Sequence, residues 1–344
     1  MPSEGPLGHD EVMGAIATGI IAGCLLGFAL QRSDLCFHSA FRGLWERRYD
    51  VVRGYALAVG VAAVGLSLIF ALGPWDQLSR GLGFRPVQIV IGGLMIGVGM
   101  VVAASCTSGL FYKLGSGMVG AAVGLAGWAI GELAAKDIRV PGPTVLGGGD
   151  EGTIPGVLGA PRLLVALVLL AGLVSLLWRG RRAGHTDPSR EAWRWHWPAI
   201  GVGVGLATIA GWALAGAGGA TFGPSTTGAV SSIVAGSPNE WQLSFLVAIV
   251  LGSAIAARTH GGWWVRGETI KRLQGLFAGG LLLGAGAIIA GGCNLGHGLS
   301  GVAQLNVSST VAVLAMIAGV GLARAVQRRI APARPSPSEE PVRD

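Results

Sequence analysis

Charge is what this 344-residue sequence has least of: Asp, Glu, Lys and Arg make up 12%, about half the ~25% usual in a soluble domain. That excludes the pair of soluble domains that length alone would allow. Cysteine is also scarce. Cys24, Cys36, Cys106 and Cys293 are the four, and none forms a C-x-x-C pair, so a disulfide framework is not expected. The first eleven residues hold Glu4, Asp10 and Glu11 but no Lys or Arg, so no signal peptide is expected. The 60 glycines show no Gly-X-Y period, which excludes collagen.

What is present instead is a series of long apolar blocks. A bilayer core about 30 Å thick takes ~20 apolar residues to cross as a helix, and hydrocarbon forces such segments to satisfy their own backbone. Nine spans are expected, at 12–31, 52–72, 87–104, 117–135, 162–178, 198–217, 241–257, 275–291 and 308–326. The net charge is +7, but its distribution does not point to nucleic acid. Of the 25 Lys and Arg residues, 20 fall in alternate connections or at the C-terminal end: 32–53, Lys113, 179–194, 258–272 and 324–343. The other side holds Arg80, Arg85, Lys136, Arg139 and Arg162. Positive charge stays cytoplasmic, which places the N-terminus outside and the C-terminus inside a cytoplasmic (inner) membrane, as nine crossings require.

The strongest internal signal is a repeat. Residues 92–109, GGLMIGVGMVVAASCTSG, align without a gap on 279–296, GGLLLGAGAIIAGGCNLG. The offset sets Cys106 on Cys293 and Cys36 on Gly223. Two units follow: 1–136, and 198–327 of opposite orientation, since five crossings separate their starts. Segment 137–197 comprises an outer loop, a linking transmembrane helix and a basic cytoplasmic loop, and 328–344 reads as a disordered cytoplasmic tail. Four short pieces, near 36–46, 106–114, 223–234 and 293–303, are too short to cross. They read as re-entrant helices, Pro224 suiting a first helical position; surface loops are the alternative. The expected fold class is an all-α polytopic membrane protein, nine transmembrane helices in an inverted repeat with short re-entrant helices.

Three of these pieces begin at cysteine. A helix N-terminus offers free N–H groups and the positive end of the dipole. A thiol adds a weak donor and a polarizable acceptor, which suits an anion with terminal sulfur and allows release as well as entry. The competing reading is cysteine as a small buried hydrophobe, which is the reading for Cys24 in mid-span. Asn294 and His297 either orient the turn or donate to the anion. Ser105, Thr107 and Ser108 supply hydroxyls or caps. His38 and His297 lie near cysteines, but the spacings match no standard metal cluster, so no metal or other cofactor is expected. Asp34 has Arg32 and Arg42 near in sequence to neutralise it. Glu132 either pairs with Lys136 at i, i+4 or carries a proton.

The segments GFALQRSDLCF (27–37), ASCTSGL (104–110) and GGCNLGHGLSG (291–301) resemble the signature segments of the YeeE/YedE family of bacterial membrane proteins, and the resemblance spans about 12–327. It implies a nine-helix inverted repeat with an hourglass shape and, for its thiosulfate-transporting members, uptake into the cytoplasm. It also implies that Cys36, Cys106 and Cys293 hand the anion along through S–H···S hydrogen bonds. Some relatives work with a TusA-like sulfur-carrier protein, a domain not seen in this chain, and others are linked to selenium or other sulfur compounds. A membrane thiol enzyme is the second reading, since helix N-termini activate thiols, though no nucleophile–base pair is evident. A scaffold docking a sulfur carrier on basic loops 42–53 and 179–194 is the third.

Overall fold

A computed structural model describes residues 9–75, 77–78, 81–179 and 193–330. Most of the basic loop 179–194, and residues 331–344 of the expected tail, lie outside the described residues. The chain is helical, with no β-strand among the described residues. In order come α1 His9–Ser33, α2 Phe37–Glu46, α3 Asp50–Leu72, α4 Pro86–Ala103, α5 Thr107–Gly115, α6 Gly120–Ala135, α7 Ile154–Leu158, α8 Arg162–Arg179, α9 Trp197–Ala217, α10 Ala229–Val234, α11 Glu240–Thr259, α12 Ile270–Ala290 and α13 Val307–Ile330. Residues 294–303 are also helical and include a π-helical segment, Gly296–Gly301. The last helix continues through 328–330, so the first three residues of the expected tail are helical.

Among the described residues, seven helical stretches are long and apolar enough to cross a membrane: α1 with α2, α3, α4 with α5, α9, α11, α12 and α13. Two shorter apolar helices, α6 and Arg162–Trp178 of α8, fill the remaining expected positions. The polarity pattern runs inside out. Ile21, Leu25, Val247, Leu251 and Ile255 are exposed, while Ser105, Thr107, Glu132, Asn294, His297 and Ser309 are buried. Apolar side chains facing outward and polar ones facing inward fit hydrocarbon as the surrounding solvent.

Packing relates the two halves. The 187-residue offset carries α1 near α9, α3 near α11, α4 near α12, α5 to 294–303 and α6 to α13. The chief partners of α1 are α11 and α9, whereas α4 packs on α12 and α13, and α12 also on α6. Little of each half packs within itself. At the α4–α12 crossing, a methyl group on Gly99 would stand 3.0 Å from the Gly279 carbonyl. One on Gly286 would stand 2.9 Å from that of Gly92. Each contact is the other moved by the offset, and small residues are what permit backbones this close.

The connection after α6 is more ordered than its Gly and Pro content suggests. Val145 N–H donates to Phe84 (2.8 Å) and Phe84 N–H to Leu146 (3.0 Å). Gln88 Nε2 donates to the Val140 carbonyl (2.7 Å). Further on, Ile154 N–H donates to Leu305 (2.8 Å) and Arg162 to the Gln304 carbonyl (3.1 Å). This loop therefore lies over the far end of 294–303.

Candidate functional site

Two breaks in the first half place cysteines at helix starts. After α1, Asp34 turns left-handed (φ 51°) and Ser33 Oγ accepts from Leu35 N–H (3.2 Å). Cys36 is then extended (φ −108°, ψ 128°) and opens α2. After α4, Ala104 is left-handed (φ 45°) and Cys106 is extended before α5. Both turns thereby aim inward first-turn N–H groups that have no partner within their own helix.

The thiols meet there. Cys36 donates to Cys106 Sγ at 3.2 Å. Cys106 N–H donates to Cys36 Sγ (3.3 Å), and Phe37 N–H to Cys106 Sγ (3.3 Å). Each helix start thus donates to the other's sulfur. Gly109 N–H is a second backbone donor to Cys106 Sγ (3.3 Å), and Ser108 Oγ stands 3.4 Å from it. Both cysteines are buried. Gly109 has to be glycine: a methyl group would lie 2.9 Å from Cys36 Sγ and 2.6 Å from Ser105 Oγ.

The second half repeats this plan with one sulfur. Cys293 precedes helical 294–303, and its Sγ accepts from Gly296 N–H (3.2 Å), the counterpart of Gly109. The donor from the other helix start is Thr226 N–H (3.4 Å); Pro224, the counterpart of Phe37, has no N–H to give. Ser225 Oγ lies 4.0 Å from the sulfur. The short helix α10 begins only at Ala229, so Pro224 sits in the irregular stretch before it rather than at a helix start.

Asn294 joins the halves. Its Oδ1 accepts from Thr107 N–H and its Nδ2 donates to Ser108 Oγ, both at 3.3 Å. Thr107 is the repeat counterpart of Asn294, so a residue touches its own equivalent. A polar chain therefore runs from Cys293 and Asn294 through Ser108 to Cys106 and Cys36. His297 is committed to the scaffold. Its Nε2 donates to the Ala290 carbonyl (3.1 Å), which leaves Nδ1 to accept from Ser309 Oγ (2.9 Å). Ser105 is buried, and its Oγ donates to the Cys106 carbonyl (3.3 Å). Cys24, in α1, is not part of the cluster; its backbone packs on Gly252.

Charged neighbours differ from the sequence expectation. Asp34 pairs with Arg194 and accepts from Tyr112 Oη (3.2 Å). Arg42 pairs with Glu46 instead (3.2 Å), and Arg32 lies over the rings of Trp193 and Trp195. Glu132 does not turn toward Lys136. Its Oε1 accepts from Val230 N–H and Ser231 N–H (3.0 Å each) and Ser231 Oγ (3.1 Å) at the start of α10. Three directed donors outweigh one solvent-side ion pair on the same helix. Lys113 donates to Ser105 Oγ (3.1 Å) and the Ala104 carbonyl (3.4 Å), under the Cys106 turn. Its signal was available, as the one charged residue in 106–114. Arg194 gave none, since 160 residues separate it from Asp34.

Two cavities reach the Cys293 turn. One of about 220 Å³ is lined by Gly223, Ser225, Thr227, Gln242, Gly292 and Gly296, among others. The other, about 430 Å³, abuts it at Leu82 and Gly291.

Comparison with known proteins gives this architecture relatives. The chain is 32% identical over 332 residues to "Thiosulfate transporter TsuA" of Spirochaeta thermophila, covering 88% of this chain and 96% of that one. It is 28% identical over 328 residues to the Escherichia coli K12 protein of the same name, covering 89% and 92%. A 105-residue stretch, 30% of this chain and 25% of the relative, is 30% identical to "Probable transporter YedE" of Salmonella typhimurium. These relatives are transporters rather than enzymes, and the apolar helices make this a multi-pass membrane protein. With the family described as "Sulphur transport" matching residues 32–322, the chain belongs to that family, a transporter family for sulfur compounds also known as YeeE/YedE.

Proposed function

We propose that this protein imports thiosulfate into the bacterial cytoplasm, passing it from Cys293 to Cys106 and Cys36 by thiol–sulfur hydrogen bonds. The observation that carries this reading is the pair of thiols at 3.2 Å held by reciprocal backbone donors. Two helix starts donate toward one point, and the nearest cation described, Lys113, bonds Ser105 and the Ala104 carbonyl rather than a sulfur. An anion entering there exchanges S–H···S for S–H···anion contacts and gains the N–H groups. Weak, repeated contacts of this kind favour passage over trapping. The thiols touch each other at rest, so they part to admit the ion.

In this reading the chain crosses nine times as an inverted repeat, with α2, α5, the stretch around α10 and 294–303 as re-entrant pieces. The exchanged glycine contacts of α4 and α12, and the meeting of Thr107 with Asn294, favour a two-fold relation in the membrane plane. The charge bias favours an outer N-terminus and a cytoplasmic C-terminus. Cys293 then faces outward and Cys36 inward, in an inner membrane. A TusA-like carrier would take the anion at the cytoplasmic face. Asn294 and Ser105 act with the cysteines, Asn294 by linking the two turns, while His297 holds its turn in place. Another sulfur or selenium anion is the alternative cargo.

The test is uptake of sulfur-labelled thiosulfate by cells lacking their own import, at matched membrane levels. Wild type imports label; Cys36→Ala, Cys106→Ala and Cys293→Ala lose most of it; Cys24→Ala does not. No import by wild type discards thiosulfate as cargo. Normal import by all four variants discards the cysteine path.

A further inference from the structure

Topology pins most positive charge to one side of this protein, yet three of the few cations expected on the other side converge. Arg85 at the start of α4, Lys136 at the end of α6 and Arg139 just beyond line one cavity of about 430 Å³. No carboxylate lines it among the described residues. Arg85 is oriented by a hydrogen bond from Nε to Thr144 Oγ1 (3.2 Å). The cavity edge is fixed by the Gln88–Val140 bond. Lys136 and Arg139 form no ion pair among the described residues. Asp137, the adjacent carboxylate, is exposed and outside the cavity wall. The far wall is made by Ala290, Gly291, His297 and Ser308, the structure behind the Cys293 turn. Leu82 and Gly291 are shared with the 220 Å³ cavity that leads to Gly292 and Gly296.

We infer that this cavity is a recruiting site for a small dianion, the same ion that then passes to Cys293; the inference rests on the transport reading above. Three like charges on the walls of one concavity raise the local concentration of an opposite ion and its rate of arrival. They do so without gripping it, because all three side chains are exposed and salt screens them within a Debye length, about 8 Å at physiological ionic strength. The site therefore concentrates the anion beside a sulfur turn, 290–301, that contains no Lys, Arg, Asp or Glu. Cations gather the ion, and thiols conduct it.

The experiment compares wild type, Lys136→Gln/Arg139→Gln and the charge-keeping Lys136→Arg/Arg139→Lys in proteoliposomes of zwitterionic lipid alone. Arg85 is left in place because it also ties down the loop. The expected result is a half-saturating thiosulfate concentration about three- to tenfold higher in the Gln variant, a smaller change in maximal rate, and a flatter dependence on salt. The charge-keeping variant should behave as wild type. Equal half-saturation in all three, with wild type transporting, overturns the site. So does an effect that appears only when anionic lipid is added, which would make it a headgroup site. Calorimetric binding of thiosulfate to the purified proteins separates this inference from the transport reading. If wild type imports nothing but binds the ion, and the Gln variant does not, the site stands and transport falls. If neither binds nor imports, both fall.

Discussion

The two cysteine turns share a plan and differ in occupancy. In the first half, Cys36 and Cys106 close on each other, buried under Lys113 and behind the Asp34–Arg194–Tyr112 cluster. In the second, the place of Cys36 is Gly223, and the side chain that a cysteine would need is blocked by Trp212, whose ring lies 2.5 Å from a methyl group built there. Cys293 consequently has hydroxyl and amide neighbours; it is as buried as the other two cysteines, and two cavities open at the glycines that flank it. The comparison teaches that one backbone device serves two roles. With two sulfurs it forms a closed thiol–thiol contact; with one it leaves a single buried thiol among hydroxyl and amide groups beside two cavities.

The contrast can be broken most sharply at matched glycines. Gly109→Ala drives a methyl into the Cys36 and Ser105 side chains and should reduce thiosulfate uptake to below roughly a tenth, the size of one lost strong contact. Gly296→Ala meets only the Ser225 hydroxyl at 2.9 Å, with Cys293 Sγ at 3.7 Å. The hydroxyl can rotate, so about half of the uptake should remain. Equal loss in both would mean the halves are equally tight. Next in size, Gly223→Cys tries to restore the missing thiol and should lower stability by about 1–3 kcal/mol through overpacking on Trp212, read as a fall in thermal midpoint in detergent. A stable Gly223→Cys protein would show that the indole moves aside.

His297→Leu borrows the residue of its counterpart, Leu110. It strands the Ala290 carbonyl and Ser309 hydroxyl and should cost about 1–3 kcal/mol, measured the same way. If the midpoint holds while uptake fails, His297 serves the anion directly. Smallest is Ala104→Gly, which copies Gly291, its left-handed counterpart. Relief of a side chain in that region, less the entropy cost of glycine, should raise stability by about 0.5–1 kcal/mol. A drop would mean the Ala104 side chain packs usefully.

Much of the second turn and the whole series of apolar helices was legible in the sequence. Hydropathy marks α3, α9 and α12 because the solvent is hydrocarbon and the rule is local. The repeat marks Cys106 and Cys293 because each turn needs the same small residues around the same sulfur. What was not legible was every contact between distant segments. Cys36 and Cys106 are 70 residues apart, Glu132 and Val230 98 apart. Nearby Arg32 looked like the partner of Asp34, yet its guanidinium is drawn to two tryptophans. The delayed start of α10 was missed because Pro224 is permissive of a helix start without compelling one.

The pairing of α1 with α11 and of α4 with α12 and α13 bears on how the molecule is made. As the ribosome delivers the first half, the chief packing partners of its helices are still missing, and Thr107 waits for an Asn294 still untranslated. Non-local pairings of this kind are slow to form. The sulfur junction can thus acquire its Asn294 tie only after residue 294 has been made, so the first-half thiol pair is completed by the second half rather than by its own neighbours.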